Sequence, residues 1–127
     1  DLDRLLATLQ PRLMPGEFVF CSFHGDDAAA ELEPLATFRE EEGLSVLLER
    51  GQAEQRKLPC SSVFRGITLT VHSSLDAVGL TAVVASRLAD EGIPANVIAA
   101  CFHDHVFVPA SMANRALDCL QELQRRP

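Results

Sequence analysis

His103 and His105 stand one residue apart with Asp104 between them. On a strand, alternate residues share a face, so two imidazoles at this spacing could chelate a transition metal. A third ligand is not evident, and His24 has no assigned place. Three readings remain open: a hairpin turn with polar tips, an edge of Phe102, His103 and Asp104 that reads the side chain of a small ligand, and a metal site. A second constellation surrounds Asp76 and Gly79. A helix starting near Asp76 would leave its first N–H groups unpaired, and these, with the helix dipole, attract a carboxylate. Gly79, lacking Cβ, would let a ligand approach the backbone; Asp76 acting only as a cap and Gly79 serving only close packing would account for the same residues. Ser73, Ser74 and Thr81 also read as caps and turn residues, and Arg39–Glu42 reads as a solvated turn. No cysteine stands in a nucleophile pattern with histidine, and no phosphate-binding or dinucleotide-binding glycine motif occurs. The expectation is a protein without catalytic residues, metal or cofactor.

The elements around these residues follow from periodicity. Leu2, Leu5, Leu6 and Leu9 predict a short amphipathic helix, ended by Pro11 and Pro15-Gly16. Glu17–Phe23, Leu35–Arg39 and Leu44–Glu49 predict strands, the last two joined through Glu40–Gly43 as a hairpin. Residues 24–34 read as a loop. Residues 51–65 are polar, contain Pro59, and offer the one plausible internal boundary, dividing the chain into 1–62 and 63–127. Beyond it, Ile67, Leu69 and Val71 alternate with polar residues as a half-buried strand. Leu80, Val83, Val84 and Leu88 stripe a helix that stops near Gly92 and Pro94. Asn96–Cys101 and Val106–Val108 predict two strands with a tight turn at His103-Asp104, and Met112, Ala116, Leu117, Leu120 and Leu123 stripe a last helix. The order from residue 66 is β-α-β-β-α, a split βαβ unit short of its fourth strand. That strand must come from the first half, with Glu17–Phe23 as the candidate, or from another chain.

Composition narrows the function classes. Hydrophobic residues make up 47% of the 127, enough for a packed core. The net charge is −7, and residues 1–62 hold twelve acids against six bases while residues 63–127 hold six against five. With neither Trp nor Tyr present, a base-stacking or phosphate-binding surface is not expected, so nucleic acid is excluded as a partner. Cysteines at 21, 60, 101 and 119 form no C-x-x-C pair, and Cys21 and Cys101 fall in apolar, strand-like runs where buried cysteine is common. Reduced thiols, no basic-then-apolar leader and no membrane-length apolar run point to a cytoplasmic protein with no membrane partner.

The stretch TVHSSLDAVGLTAVVASRLADEGIPANVIAACFHDHVFV, Thr70 to Val108, resembles the ACT-domain family of small-molecule-binding regulatory modules. Its D-x-x-G-L at Asp76–Leu80 is similar to the family's strand-to-helix turn, and E-G-I-P-A-N-V at residues 91–97 to the lead-in of its second strand. The whole chain, including LATFREEEGLSVLLE, resembles a bacterial tandem-ACT group and, more distantly, the CASTOR arginine sensors. The resemblance implies an α+β fold of two ferredoxin-like units with antiparallel sheets and helices on one face. It also implies an amino acid or similar metabolite bound where ACT units meet. Matched residue by residue, Asp76, Ala77, Val78, Gly79, Leu80 and Thr81 form the turn that grips the ligand's main-chain groups, and Asn96, Val97 and Ile98 form the opposing strand. Phe102, His103 and Asp104 resemble the side-chain-reading edge. A homodimer is expected, and a ligand-free ACT-like dimerisation domain is the rival reading.

Overall fold

A computed structural model describes residues 2–24, 31–70 and 79–125. In chain order the elements are α1 (Leu2–Ala7), β1 (Arg12–Leu13), β2 (Phe18–Phe23), β3 (Ala36–Glu40), β4 (Gly43–Glu49) and α2 (Arg50–Gln55). There follow β5 (Phe64–Thr70), α3 (Leu80–Asp90), β6 (Asn96–Ala99), β7 (His103–Pro109), a 3-10 turn (Ala110–Met112) and α4 (Ala113–Arg125). They sort into two compact units, one of Gly16–Phe64 and one of Asp1–Pro15 with Arg65–Pro127. The fold is α+β, with antiparallel strand pairs in each unit, α2 in the first and α1, α3 and α4 in the second.

In the Gly16–Phe64 unit β4 lies between β3 and β2, antiparallel to both. Cys21 pairs with Val46 and Phe38 with Ser45. Val19, Cys21, Val46 and Leu48 are buried and pack with Leu32 and Ala53. The β3–β4 turn is two residues long, because Glu40 already pairs with Gly43. Gly43 has φ +149, and a Cβ there would lie 2.2 Å from the Phe23 carbonyl oxygen, so β2 leaves room for hydrogen alone. Helix α2 falls inside the segment read from sequence as a polar boundary. Its only buried residue is Ala53, so no apolar stripe announces it. Tertiary bonds to Glu17 hold it instead: Arg50 N–H donates to the Glu17 carbonyl and the Arg50 guanidinium pairs with the Glu17 carboxylate at 2.9 Å, while Glu54 pairs with Arg50 at 2.7 Å within the helix.

In the other unit β5 neighbours β7, β7 neighbours β6, and β1 pairs with β5. Arg12 sits opposite Thr68 and Leu13 opposite Ile67, with Met14 N–H on the Gly66 carbonyl and Thr70 N–H on the Leu9 carbonyl. Arg12–Leu13 thus adds a short strand to β5, and β2, the strand expected beside it, also pairs with β5 through Phe18 and Phe64 while pairing along its length with β4. Pro11 and Pro15 mask so short a strand in the sequence, since proline in a run argues against pairing. The core joins Leu6 and Leu9 to Ile67 and Leu69 of β5, Leu88 of α3, Val106 and Val108 of β7, and Leu120 of α4. The helices gather together, and Gln124 of α4 donates to the Ala7 carbonyl at 3.1 Å. The fifteen N-terminal residues thus pack with the later half of the chain.

Candidate functional site

The first helical residue of α3 is Leu80, and its N-cap is Gly79 at φ +96 with no side-chain cap. This corrects the expected start near Asp76: the left-handed backbone at Gly79 cannot lie within a helix, so the helix can begin only after it. Asp76 and Val78 lie outside the described residues. The first helical bond runs from Val83 N–H to the Gly79 carbonyl at 3.0 Å. The N–H groups of Leu80, Thr81 and Ala82 accordingly have no carbonyl partner within the helix, and the positive end of an eleven-residue dipole gathers there. The Leu80 side chain is buried, so only its backbone can face a ligand, whereas Thr81 is exposed. A Cβ at Gly79 would meet only Leu2 Cδ2, at 3.9 Å; backbone angle, not crowding, is what demands glycine.

The β6–β7 hairpin also differs from expectation. Ala100 N–H donates to the His103 carbonyl and Ala99 pairs with Asp104, so His103 and Asp104 already belong to β7. The turn is at Cys101 and Phe102; both are exposed, which corrects the reading of Cys101 as a buried strand residue. Asp104 is half-buried in a strand and is not a turn tip. His103 and His105 share a face with ring centroids 6.2 Å apart. His105 Nδ1 lies 3.1 Å from Thr68 Oγ1, which gives it a structural partner across the sheet. Among the described residues no three His, Cys, Asp or Glu side chains converge on a metal position.

Thr68 faces His105, and the Phe107 ring lies over Gly66, so β5 and β7 run antiparallel. Ile98 pairs with His105 and Asn96 with Phe107. Thr70 and the hairpin turn therefore share one end of this sheet. Asn96 marks the other end, joined to the last turn of α3 through residues 91–95. The eleven residues of α3 span about 15 Å. Gly79, Leu80 and Thr81 open the helix, and Phe102, His103 and Asp104 lie at the hairpin end of β6 and β7. Asn96 is apart from them, and its amide donates to the Phe107 carbonyl at 3.2 Å. Val97 and Ile98 are half-buried on β6. Two surface depressions lie elsewhere. One of about 410 Å³ is lined by Glu17, Glu49, Arg50 and Glu54, and one of about 330 Å³ by Arg12–Pro15 and Thr68.

Burial lowers the pKa of His105 below the ordinary 6.5, with His103 adding to the effect and Asp104 opposing it. Burial likewise raises Asp104 above 3.8, against His105. A histidine favoured as neutral in the fold contributes stability above its unfolded pKa, and loses it as pH falls through the folded value. Asp104 acts oppositely: its contribution is present below 3.8 and is lost as pH rises through its raised value. Proton NMR is expected to place the His105 midpoint below 6.5 and the Asp104 midpoint above 3.8. A His105 midpoint at or above 6.5 would contradict burial as the dominant cause.

Residues 1–65 match a family model described as an ACT domain, and residues 61–122 match a second model of the same description. The chain belongs to the ACT-domain family. A Vibrio cholerae protein of unknown function, described as a possible transport protein, is 50% identical with a TM-score of 0.90, over 97% of this chain and 95% of that one. An Agrobacterium tumefaciens protein is similar at 17% identity and TM-score 0.69, over 90% of this chain and 87% of its own. The regulatory subunit of aspartate kinase from Thermus flavus matches at 9% identity and TM-score 0.69, over 91% and 98% respectively. At such identities the last two show the fold alone. No curated protein matches the chain. Family membership makes the chain, in general terms, a regulatory small-molecule-binding module. No helix among the described residues is long and apolar enough to cross a membrane.

Two features of this ACT protein escaped the sequence reading. The Thr68–His105 contact was accessible only in part, since Thr68 alternates with Ile67 and Leu69 whereas His105 stands between Asp104 and Val106. The closeness of Cys21 and Cys60, 39 residues apart, was not, because no pattern links a strand residue to a loop residue at that separation.

Proposed function

We propose that the chain is a non-catalytic regulatory module that binds an amino acid, with the ligand's carboxylate on the N–H groups at the start of α3. The observation that carries the reading is the left-handed Gly79 that starts α3 ahead of Leu80 and Thr81. It leaves backbone donors for an acceptor from outside the helix, in a family whose members generally bind amino acids. By the family resemblance Asp76 and Val78 belong to the same site, with Asp76 accepting the ligand's ammonium group. Phe102, His103 and Asp104, at the hairpin end of the sheet, read the side chain. Asn96, Val97 and Ile98 close the site from a second copy in a homodimer. The two ACT-like segments meet near residues 62–63. Free cysteines at 21, 60, 101 and 119 accord with a cytoplasmic location.

A thermal-shift screen of the twenty amino acids tests this. A ligand at a hundred times its dissociation constant should add about 2.7 kcal/mol, or about 10 °C at this chain length. Gly79→Asn keeps a residue tolerant of the left-handed region but adds a side chain at the donors. It should weaken binding at least about tenfold, or 1.4 kcal/mol, while circular dichroism stays unchanged. Wild-type affinity in that variant would move the site away from α3. A ligand-free dimerisation domain is the second reading, favoured by exposed Phe38 on β3 (73%) and Phe102 (82%). A dimer by sedimentation, with no shift from any amino acid, would select it.

A further inference from the structure

We propose that Cys21 and Cys60 form a reversible redox site in the Gly16–Phe64 unit: a dithiol that a small-molecule disulfide converts into an intramolecular disulfide. Their sulfur atoms lie 3.1 Å apart. Bonding distance is about 2.05 Å, so closure needs a movement of only about 1 Å.

The surrounding chain holds the pair in this position. Cys21 is on β2 with 6% exposure, anchored between Val19 and the paired Val46. Cys60 is exposed on the segment between α2 and β5. Its neighbour Ser61 is fastened to β2 twice: Ser61 N–H donates to the Phe20 carbonyl at 3.0 Å, and Phe20 N–H donates to Ser61 Oγ at 2.9 Å. These bonds lay the segment beside β2 and keep Cys60 next to Cys21. The Cys21 thiol donates to Cys60 Sγ, while the Cys60 thiol donates to the Leu58 carbonyl at 3.0 Å.

The two cysteines divide the reaction. Burial, with the Cys60 thiol beside it, pushes Cys21 up to about 12, so it stays protonated at neutral pH. Attack must begin at exposed Cys60, since the thiolate is the nucleophile and needs access. Cys60 gives its proton to solvent and attacks one sulfur of the small disulfide; that S–S bond breaks and one small thiolate departs. The mixed disulfide on Cys60 then faces Cys21. Cys21 loses its proton, attacks Cys60 Sγ and expels the second small thiolate, and both leaving groups take up protons. Two cysteine thiols are oxidised and one small disulfide is reduced to two thiols.

Oxidised glutathione is the probe. The full chain is incubated with it, acid-quenched, alkylated in denaturant and peptide-mapped. The expected result is a Cys21–Cys60 cross-linked peptide, no glutathione on either residue, and a stable adduct on exposed Cys101, which serves as comparator. Dithiothreitol should restore all four thiols. Cys60→Ser should leave Cys21 alkylatable, and Cys21→Ala, shown folded by circular dichroism, should trap glutathione on Cys60. Should Cys21→Ala fail to fold, the wild-type map decides alone. A lasting glutathione adduct on wild-type Cys60, or a bond from Cys60 to a cysteine other than Cys21, would overturn the proposal.

Discussion

Gly43→Ala is expected to destabilise the Gly16–Phe64 unit by about 3 kcal/mol, the sum of overpacking and backbone strain. The added Cβ would lie 2.2 Å from the Phe23 carbonyl oxygen and 3.1 Å from its carbon. Those are backbone atoms of β2, so no rotamer change relieves the clash. Relief requires β4 to move off β2 at the Phe23–Leu44 pair, and Gly43 to abandon φ +149. Both changes break the register that buries Val46 and Leu48. Gly51→Ala provides a control of opposite sign in the same unit. It lies in α2, and its new Cβ would meet only Glu49 Oε1 at 3.5 Å. Alanine there should stabilise by up to about 1 kcal/mol through helix propensity. Urea denaturation of both variants gives the comparison. A Gly43→Ala loss below about 1 kcal/mol would mean that β2 yields easily.

Leu88→Ala should cost about 3 kcal/mol in the other unit and lower the melting temperature by about 10 °C. Leu88 is wholly buried in the cluster that joins α3 to β5, β7 and α4. Its carbonyl accepts N–H bonds from Glu91 and Ile93, which the substitution leaves in place, so the loss reports packing alone. The cavity would be lined by elements held from several directions, which limits collapse. Ser86→Ala, exposed on the same helix, should change stability by less than about 0.5 kcal/mol. A Leu88→Ala midpoint close to wild type would show that the α3 contact is loosely packed.

Periodicity made most of the elements visible. The Leu80–Leu88 stripe, the alternation at Ile67–Leu69 and the α4 stripe each bury the face the pattern assigned, because burial of that face is what forms the element. The same logic explains the failures. Helix α2 has one buried residue and rests on Glu17 and Arg50, a long-range tie with no local signature. Arg12–Leu13 is a two-residue strand between prolines, made legible only by its partner β5. Polar residues at His103-Asp104 suggested a turn, yet pairing of Ala99 with Asp104 carries the strand to His103 and leaves the turn to Cys101 and Phe102. At the candidate site, Gly79 and Thr81 were readable as glycine and hydroxyl before a stripe. The helix start was not, because an acidic cap signal at Asp76 competes with a backbone-angle signal at Gly79 that composition alone does not rank.

The contribution of Arg12–Leu13 to β5 has a temporal consequence. During synthesis residues 2–15 emerge before the rest of their unit, with Leu6 and Leu9 exposed and no partner yet made. The contiguous stretch from Gly16 to Phe64 emerges next and can close on itself while translation continues, since domains fold as units during synthesis. Completion of the interrupted unit must wait until α4 has cleared the ribosome, because Leu6 and Leu9 share a core with Leu120. At about 5–20 residues per second, the interval between the emergence of Leu9 and that of Leu120 lasts seconds. Through that interval an apolar leucine stripe is open to chaperones.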